Sequence, residues 1–143
     1  MILLPTKILV PLDGSENSGR ACEYAIELCT KLGASIVFLN VLEIPIMAYK
    51  YHRVAENLLE VLEESGRSIL SKSEAAARAR KVACETVLAH GDPASQILAT
   101  SRKKKCDLVI MGKRGMGRIE RLLLGSVSDQ VSKLSDMPVL VIK

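Results

Sequence analysis

Lys7–Leu12 is an apolar run that ends in Asp13-Gly14-Ser15, the way a buried strand hands over to a turn. Cys22, Ala25, Ile26, Cys29 and Leu32 then recur at helical spacing, and Gly33 supplies the left-handed stop that helix ends prefer. Ser35–Leu42 is apolar and β-branched without alternation, which predicts a strand covered on both faces and therefore central in a sheet. Glu43–Tyr51 reads as a loop. Leu58, Leu62, Ile69 and Ala76 predict a long second helix across Val54–Arg80, with Gly66 as a point where it can break. Val82, Cys84, Thr86 and Leu88 alternate with Ala83, Glu85, Val87 and Ala89, the pattern of a strand with one face less well covered, at a sheet edge. Asp92-Pro93 pairs an N-cap with a proline at the first helical position, so a third helix starts there and runs to about Lys104. Asp107–Met111 reads as a fourth buried strand, Ser126–Ser135 as a helix and Pro138–Ile142 as a final strand.

Strands that alternate with helices at this spacing require crossover connections, and the helices provide them, so the sheet is parallel. The right-handed crossover rule leaves few topologies. The expected fold is an open, Rossmann-like α/β domain with five parallel strands in order 3-2-1-4-5 and helices on both faces. Strands one and four then lie side by side where the winding reverses, and ligands of such sheets bind in the crevice outside the strand ends at that point. The two richest loops, Asp13–Ser18 and Gly112–Ser126, follow those two strands.

Composition narrows the function more than the fold. A chain of 143 residues, 48% hydrophobic and 25% charged, fits a single domain over residues 1–143 with its own core. The net charge of +4 comes largely from Arg102–Lys105, which ends a helix, and from Lys113, Arg114, Arg118 and Arg121. Aromatic residues make up only 3% and tryptophan is absent, which argues against nucleic acid because a basic patch has few stacking partners. The Met1–Leu4 run is too short for a signal-peptide core, and no apolar stretch approaches the ~20 residues of a membrane helix, so a cytoplasmic location is expected. Cys22, Cys29, Cys84 and Cys106 lack Cys-x-x-Cys spacing and have two histidines for company, which indicates neither a zinc site nor a disulfide framework. Cys22 and Cys29 read as core packing. His52 and His90 have no motif-bearing Ser or Cys beside them, so no catalytic residue and no metal ligand is assigned.

The segment after strand four carries the strongest chemistry. Gly112-Lys-Arg-Gly115-Met-Gly117 is followed by Gly125-Ser126-Val127-Ser128. Glycines let successive amide hydrogens converge on an anion, and Ser126 with Asp129 resembles a capping box whose helix start adds donors and a positive dipole end. The Walker pattern is absent, and Glu120 stands where a dinucleotide fingerprint needs its third glycine. The residues present spell Gly-x2-Gly-x9-Gly-Ser at Gly112, Gly115, Gly125 and Ser126.

With that spacing, with Lys-Ile-Leu-Val-Pro-Leu-Asp-Gly-Ser at Lys7–Ser15, Gly91-Asp92-Pro93-Ala94 before helix three and Pro138-Val-Leu-Val-Ile at the end, the chain resembles the universal stress protein family over essentially its whole length. The resemblance implies an adenine nucleotide alpha hydrolase-like fold and the subgroup of that family that binds ATP. It implies phosphate and ribose contacts from Gly112, Gly115, Gly125 and Ser126, further phosphate contacts from Val127 and Ser128, Asp13 against ribose or adenine, and the Val41 backbone at the adenine edge. Pro11, Met111 and Gly117 complete the implied set. If the chain is instead an enzyme, Asp13 or Asp129 helps hold a divalent ion, Mg or Mn, on the phosphates.

Plainer roles stand beside these. Asp13 before Gly-Ser can form an Asx turn and nothing more. Lys113, Arg114 and Arg118 can pair with phosphates or face solvent. Three functions follow: a nucleotide-dependent stress-response regulator with an unidentified protein partner, a slow ATPase or phosphotransferase, and a nucleotide-independent interaction domain. The preference for ATP over ADP or AMP rests on the resemblance alone. Val139–Ile142, a uniformly apolar edge strand in the expected order, predicts a homodimer formed edge to edge, as in the resembling family.

Overall fold

The computed structural model describes residues 4–43, 52–113 and 126–143. Chain order is β1 (Lys7–Pro11), α1 (Glu16–Leu32), β2 (Ser35–Leu42), α2 (His52–Ala79), β3 (Cys84–His90), α3 (Pro93–Lys103), β4 (Leu108–Gly112), α4 (Ser126–Leu134) and β5 (Val139–Ile142). The strands form one sheet in order β3-β2-β1-β4-β5. Every pairing is parallel, with Leu9 opposite Val37 on one side and Val109 on the other. The expected topology is the observed one.

The unalternating strands are explained by two cores. Ile8, Val10, Ile36, Phe38 and Ile110 point to the face covered by α1 and α2, where Ala25, Ile26, Cys29, Leu70 and Ala77 meet them. Leu9, Val37, Leu39, Val109 and Met111 point the other way, under Ala94, Ile97 and Leu98 of α3 and Val131 of α4. A strand with both faces buried has no polar side to show, so its pattern is a solid run. Cys22 and Cys29 are core residues, and burial pushes the Cys29 thiol up to about 11, so it stays neutral. Cys106, also buried, is raised to about 11 for the same reason.

Three local expectations are corrected. Helix α1 begins at Glu16, so Asn17 and Ser18 belong to its first turn and not to a loop. Ser15 is the reason: its side chain accepts from Ser18 N at 3.1 Å, and this cap starts a helix that the weak formers Asn17, Ser18 and Gly19 do not advertise. Helix α2 runs unbroken through Gly66, which sits where the helix passes close over β2 and β3; a Cβ there would stand 2.5 Å from Asn40 Oδ1 and 2.9 Å from Leu88 Cδ1. The glycine is an approach point. Strand β3 starts at Cys84, because Val82 N bonds back to Ala77 O at 2.9 Å and Lys81 adopts φ +58°, which closes the end of α2.

Other signals appear as read. Gly33 takes φ +71° and its N–H reaches Cys29 O at 2.8 Å. Asp92 caps α3 ahead of Pro93, accepting from Ser95 N at 2.9 Å and Ser95 Oγ at 2.8 Å, and these bonds hold its carboxyl below the usual carboxylate range. At the end of α3, Arg102 pairs with Asp136 at 3.1 Å and Lys104 with Glu85 at 3.1 Å. No described helix is long and apolar enough to cross a membrane.

Candidate functional site

Because all five strands are parallel, every strand-to-helix connection leaves the sheet at one end. Between β1 and β4 the direction of winding reverses, and the crevice there opens into a cavity of about 740 Å³. That volume lies in the ~300–1,000 Å³ range of small-molecule sites.

Its walls come from four places. Pro11, Leu12 and Asp13 close β1, Val41 and Glu43 close β2, Met111, Gly112 and Lys113 close β4, and Ser126, Val127 and Ser128 open α4. Thus Pro11, Asp13, Val41, Met111, Gly112, Ser126, Val127 and Ser128, far apart in sequence, stand round one space. Gly115, Gly117 and Gly125 lie outside the described residues, as do Arg114, Arg118, Arg121 and the loop over 44–51.

Local chemistry fixes each wall. Asp13 Oδ1 accepts from Ser15 N at 2.9 Å, the Asx turn that its plainer reading expects, and Gly14 takes φ +85° to allow it. Gly112 touches the first turn of α1, since a Cβ there would lie 2.8 Å from the Asn17 carbonyl carbon and 2.9 Å from Ser18 N. Lys113 N continues the ladder to Ile142 O at 2.8 Å, and Ser128 Oγ donates to Lys113 O at 2.7 Å. Ser128 is buried and ties the start of α4 to the end of β4, a structural duty beside the phosphate contact implied for it. Asp129, the far member of the capping box, is held by Lys133 at 3.1 Å.

Sequence reasoning missed the inner wall. Leu39, Leu62 of α2 and Ile97 of α3 supply apolar surface, and Asp92 and Pro93 reach the cavity from the β3–α3 connection. Asp92-Pro93 reads as a helix start, and the parallel sheet was the one clue that its connection emerges at the same end. For Leu62 and Ile97 the periodicity marks a buried face without saying which end of the sheet it meets.

The arrangement suits a ligand with a flat apolar part and an anionic part. Leucine, isoleucine and valine line one region, while the N-terminal turn of α4 brings the positive end of the helix dipole. The described lining residues include neither histidine nor cysteine. Among the described residues, no group of three His, Cys, Asp or Glu could hold a metal ion.

The model of the universal stress protein family matches residues 5–143. Universal stress protein MJ0531 of Methanocaldococcus jannaschii is 36% identical over 138 residues, which cover 96% of this chain and 81% of that protein. Among solved structures, universal stress protein UspA from Lactobacillus plantarum superposes with a TM-score of 0.89 at 21% identity, covering 96% of this chain and 97% of its own. A universal stress protein family protein from Arabidopsis thaliana, solved with AMP bound, gives 0.72 at 23% identity, with 97% and 92% covered. At such identities the structures speak for the fold.

Proposed function

The chain belongs to the universal stress protein family, and from that membership we propose that it binds ATP in the cavity at the strand ends and acts as a nucleotide-dependent regulatory module of the stress response. The observation that carries this reading is the meeting of Asp13, Val41, Gly112 and the first turn of α4 around one space at the point where the winding reverses. The family member with AMP bound, which shares the fold, supports an adenine nucleotide as the ligand.

In this reading the adenine lies against the apolar wall near Val41, Asp13 faces the ribose or adenine, and the phosphates meet the backbone at Gly112 and the tip of α4. Gly115 and Gly125 are assigned to the phosphates from the Gly-x2-Gly-x9-Gly-Ser spacing, and Gly117 as a further glycine of the same loop. Mg or Mn would travel with the phosphates, neutralising part of their charge. Asp13 and Asp92 also hold local turns, Asp13 through Ser15 N and Asp92 through Ser95.

Titration with labelled ATP tests the proposal. The wild-type chain is expected to bind one equivalent, and Gly115→Val, which takes away a backbone free to approach phosphate, to weaken binding by about 100-fold, or about 2.7 kcal/mol. Equal affinity of the two proteins would discard the loop as the phosphate site. Steady phosphate release with magnesium or manganese present would move the reading to a slow ATPase.

Strand β5 carries the assembly reading. It is one edge of the sheet, and its residues are apolar on both faces, with Val139 and Val141 toward α3 and α4 and Leu140 and Ile142 toward α1. An apolar edge with a row of open backbone groups invites a strand from a second copy. Sedimentation is expected to give a dimer at micromolar concentration, and a monomer there would contradict the pairing.

A further inference from the structure

Among the described residues one buried side-chain atom, Asn40 Oδ1, has no hydrogen-bond partner. Asn40 sits on β2 at 5% exposure, in a strand otherwise apolar from Ile36 to Leu42. A buried amide that wastes one of its groups costs more than an apolar residue of the same shape, so its other group must be needed.

That group is Nδ2, which donates to Leu12 O at 2.8 Å. The need arises where β1 ends. Pro11 has no N–H, and Leu12 N still reaches Leu39 O at 2.8 Å, but Leu12 lies beyond the last β1 residue, is itself buried, and so requires a partner for its carbonyl. Only the amide nitrogen can serve a carbonyl, which settles the orientation and turns Oδ1 toward Gly66 on α2. The next residue after Leu12 is Asp13, whose carboxylate organises the turn at the cavity mouth.

We infer that Asn40 is a positioning residue of this site: its amide clamps the Leu12 carbonyl, the clamp sets the Asp13 turn, and the close passage of α2 at Gly66 sets the amide. Neither Asn40 nor Gly66 lines the cavity, whereas Leu12, Asp13 and Leu62, one turn before Gly66, do. A side chain at 66 would strike Oδ1 first, so a shift of α2 is delivered to the Asp13 turn through Asn40. Helix α2, whose Leu62 lines the cavity, is thereby coupled to the nucleotide through Asn40 as well. The inference rests on the ATP reading for its ligand, but its geometry does not.

The test uses the full chain with Asn40→Ala, Gly66→Ala and the double variant, and Asn40→Leu as a volume-keeping substitute should alanine prevent folding. Hydrogen exchange at the Asp13 and Ser15 amides, measured without nucleotide, reads the clamp itself. Asn40→Ala is expected to speed exchange there about tenfold and to raise the Kd for ATP about tenfold, the size of one lost hydrogen bond. Gly66→Ala is expected to raise Kd by itself and to add less in the Asn40→Ala background, because the nearer atom it strikes is then gone and only Leu88 Cδ1, at 2.9 Å, remains. Turn amides that exchange as in wild type, or Kd effects that simply add, would overturn the role of Asn40. Failure of the wild-type chain to bind ATP would instead overturn the nucleotide reading, with the exchange result still deciding the clamp.

Discussion

Gly112→Ala is expected to lower stability by about 2–3 kcal/mol and to abolish measurable ATP binding, although it adds a single methyl group. The added carbon would stand 2.8 Å from the Asn17 carbonyl carbon, 2.9 Å from Asn17 Cβ and 2.9 Å from Ser18 N. Two of those atoms are backbone in the first turn of α1, so no rotamer change relieves the contact. Ser18 N is already committed to the Ser15 cap at 3.1 Å, and Lys113 N, just past the end of β4, to Ile142 O at 2.8 Å. Either α1 or the end of β4 must move, and both are walls of the cavity. Chemical denaturation and ATP titration check the two halves of the expectation. A variant that loses less than about 1 kcal/mol and keeps its affinity would show that the two elements part easily and that the site tolerates it.

Phe38→Ala is expected to cost about 3–5 kcal/mol, a large share of the ~5–15 kcal/mol that holds a domain of this kind, yet to weaken ATP binding less than Asn40→Ala does at temperatures where the variant is folded. Phe38 is the sole phenylalanine, fully buried on β2 in the cluster beneath α1 and α2. Its neighbours on that face include Val10, Ile36, Ile26 and Leu70, held by a rigid sheet that cannot collapse into the space left. Leu39, its neighbour in sequence, points to the opposite face and lines the cavity, so the loss falls on the far side of the sheet. Phe38→Leu, which keeps most of the volume, is expected to cost less than about 1.5 kcal/mol. Thermal unfolding of the two variants reads the difference, and equal small losses would contradict a tightly packed core at β2.

The contrast between these positions reflects what could be read in the letters. Solid apolar runs at Lys7–Leu12 and Ser35–Leu42 announced two-faced burial, and with helices between the strands the crossover rule left few sheet orders, the observed one among them. The ends of β1 and β4 were legible as a site because Asp13-Gly14-Ser15 and Gly112 break those runs with turn chemistry at the point of reversal. The inner wall was not legible, since Leu62 and Ile97 are ordinary members of apolar stripes and only packing decides which of them reaches the cavity. Asn40 is one polar residue within the apolar run from Ile36 to Leu42. Its meaning depends on Leu12, twenty-eight positions away, leaving the ladder with an unpaired carbonyl. Gly66 was misread for a related reason: helix propensity sees a weak residue, whereas the folded chain uses the missing side chain as clearance for Asn40 and Leu88.

Occupancy of the cavity by a nucleotide is the central expectation. Protein purified without added nucleotide, denatured, and its supernatant analysed by mass spectrometry tests this most directly. An adenine nucleotide recovered from wild-type protein and absent from Gly112→Ala is the result expected. Protein that carries none and takes up none when incubated with ATP would contradict it.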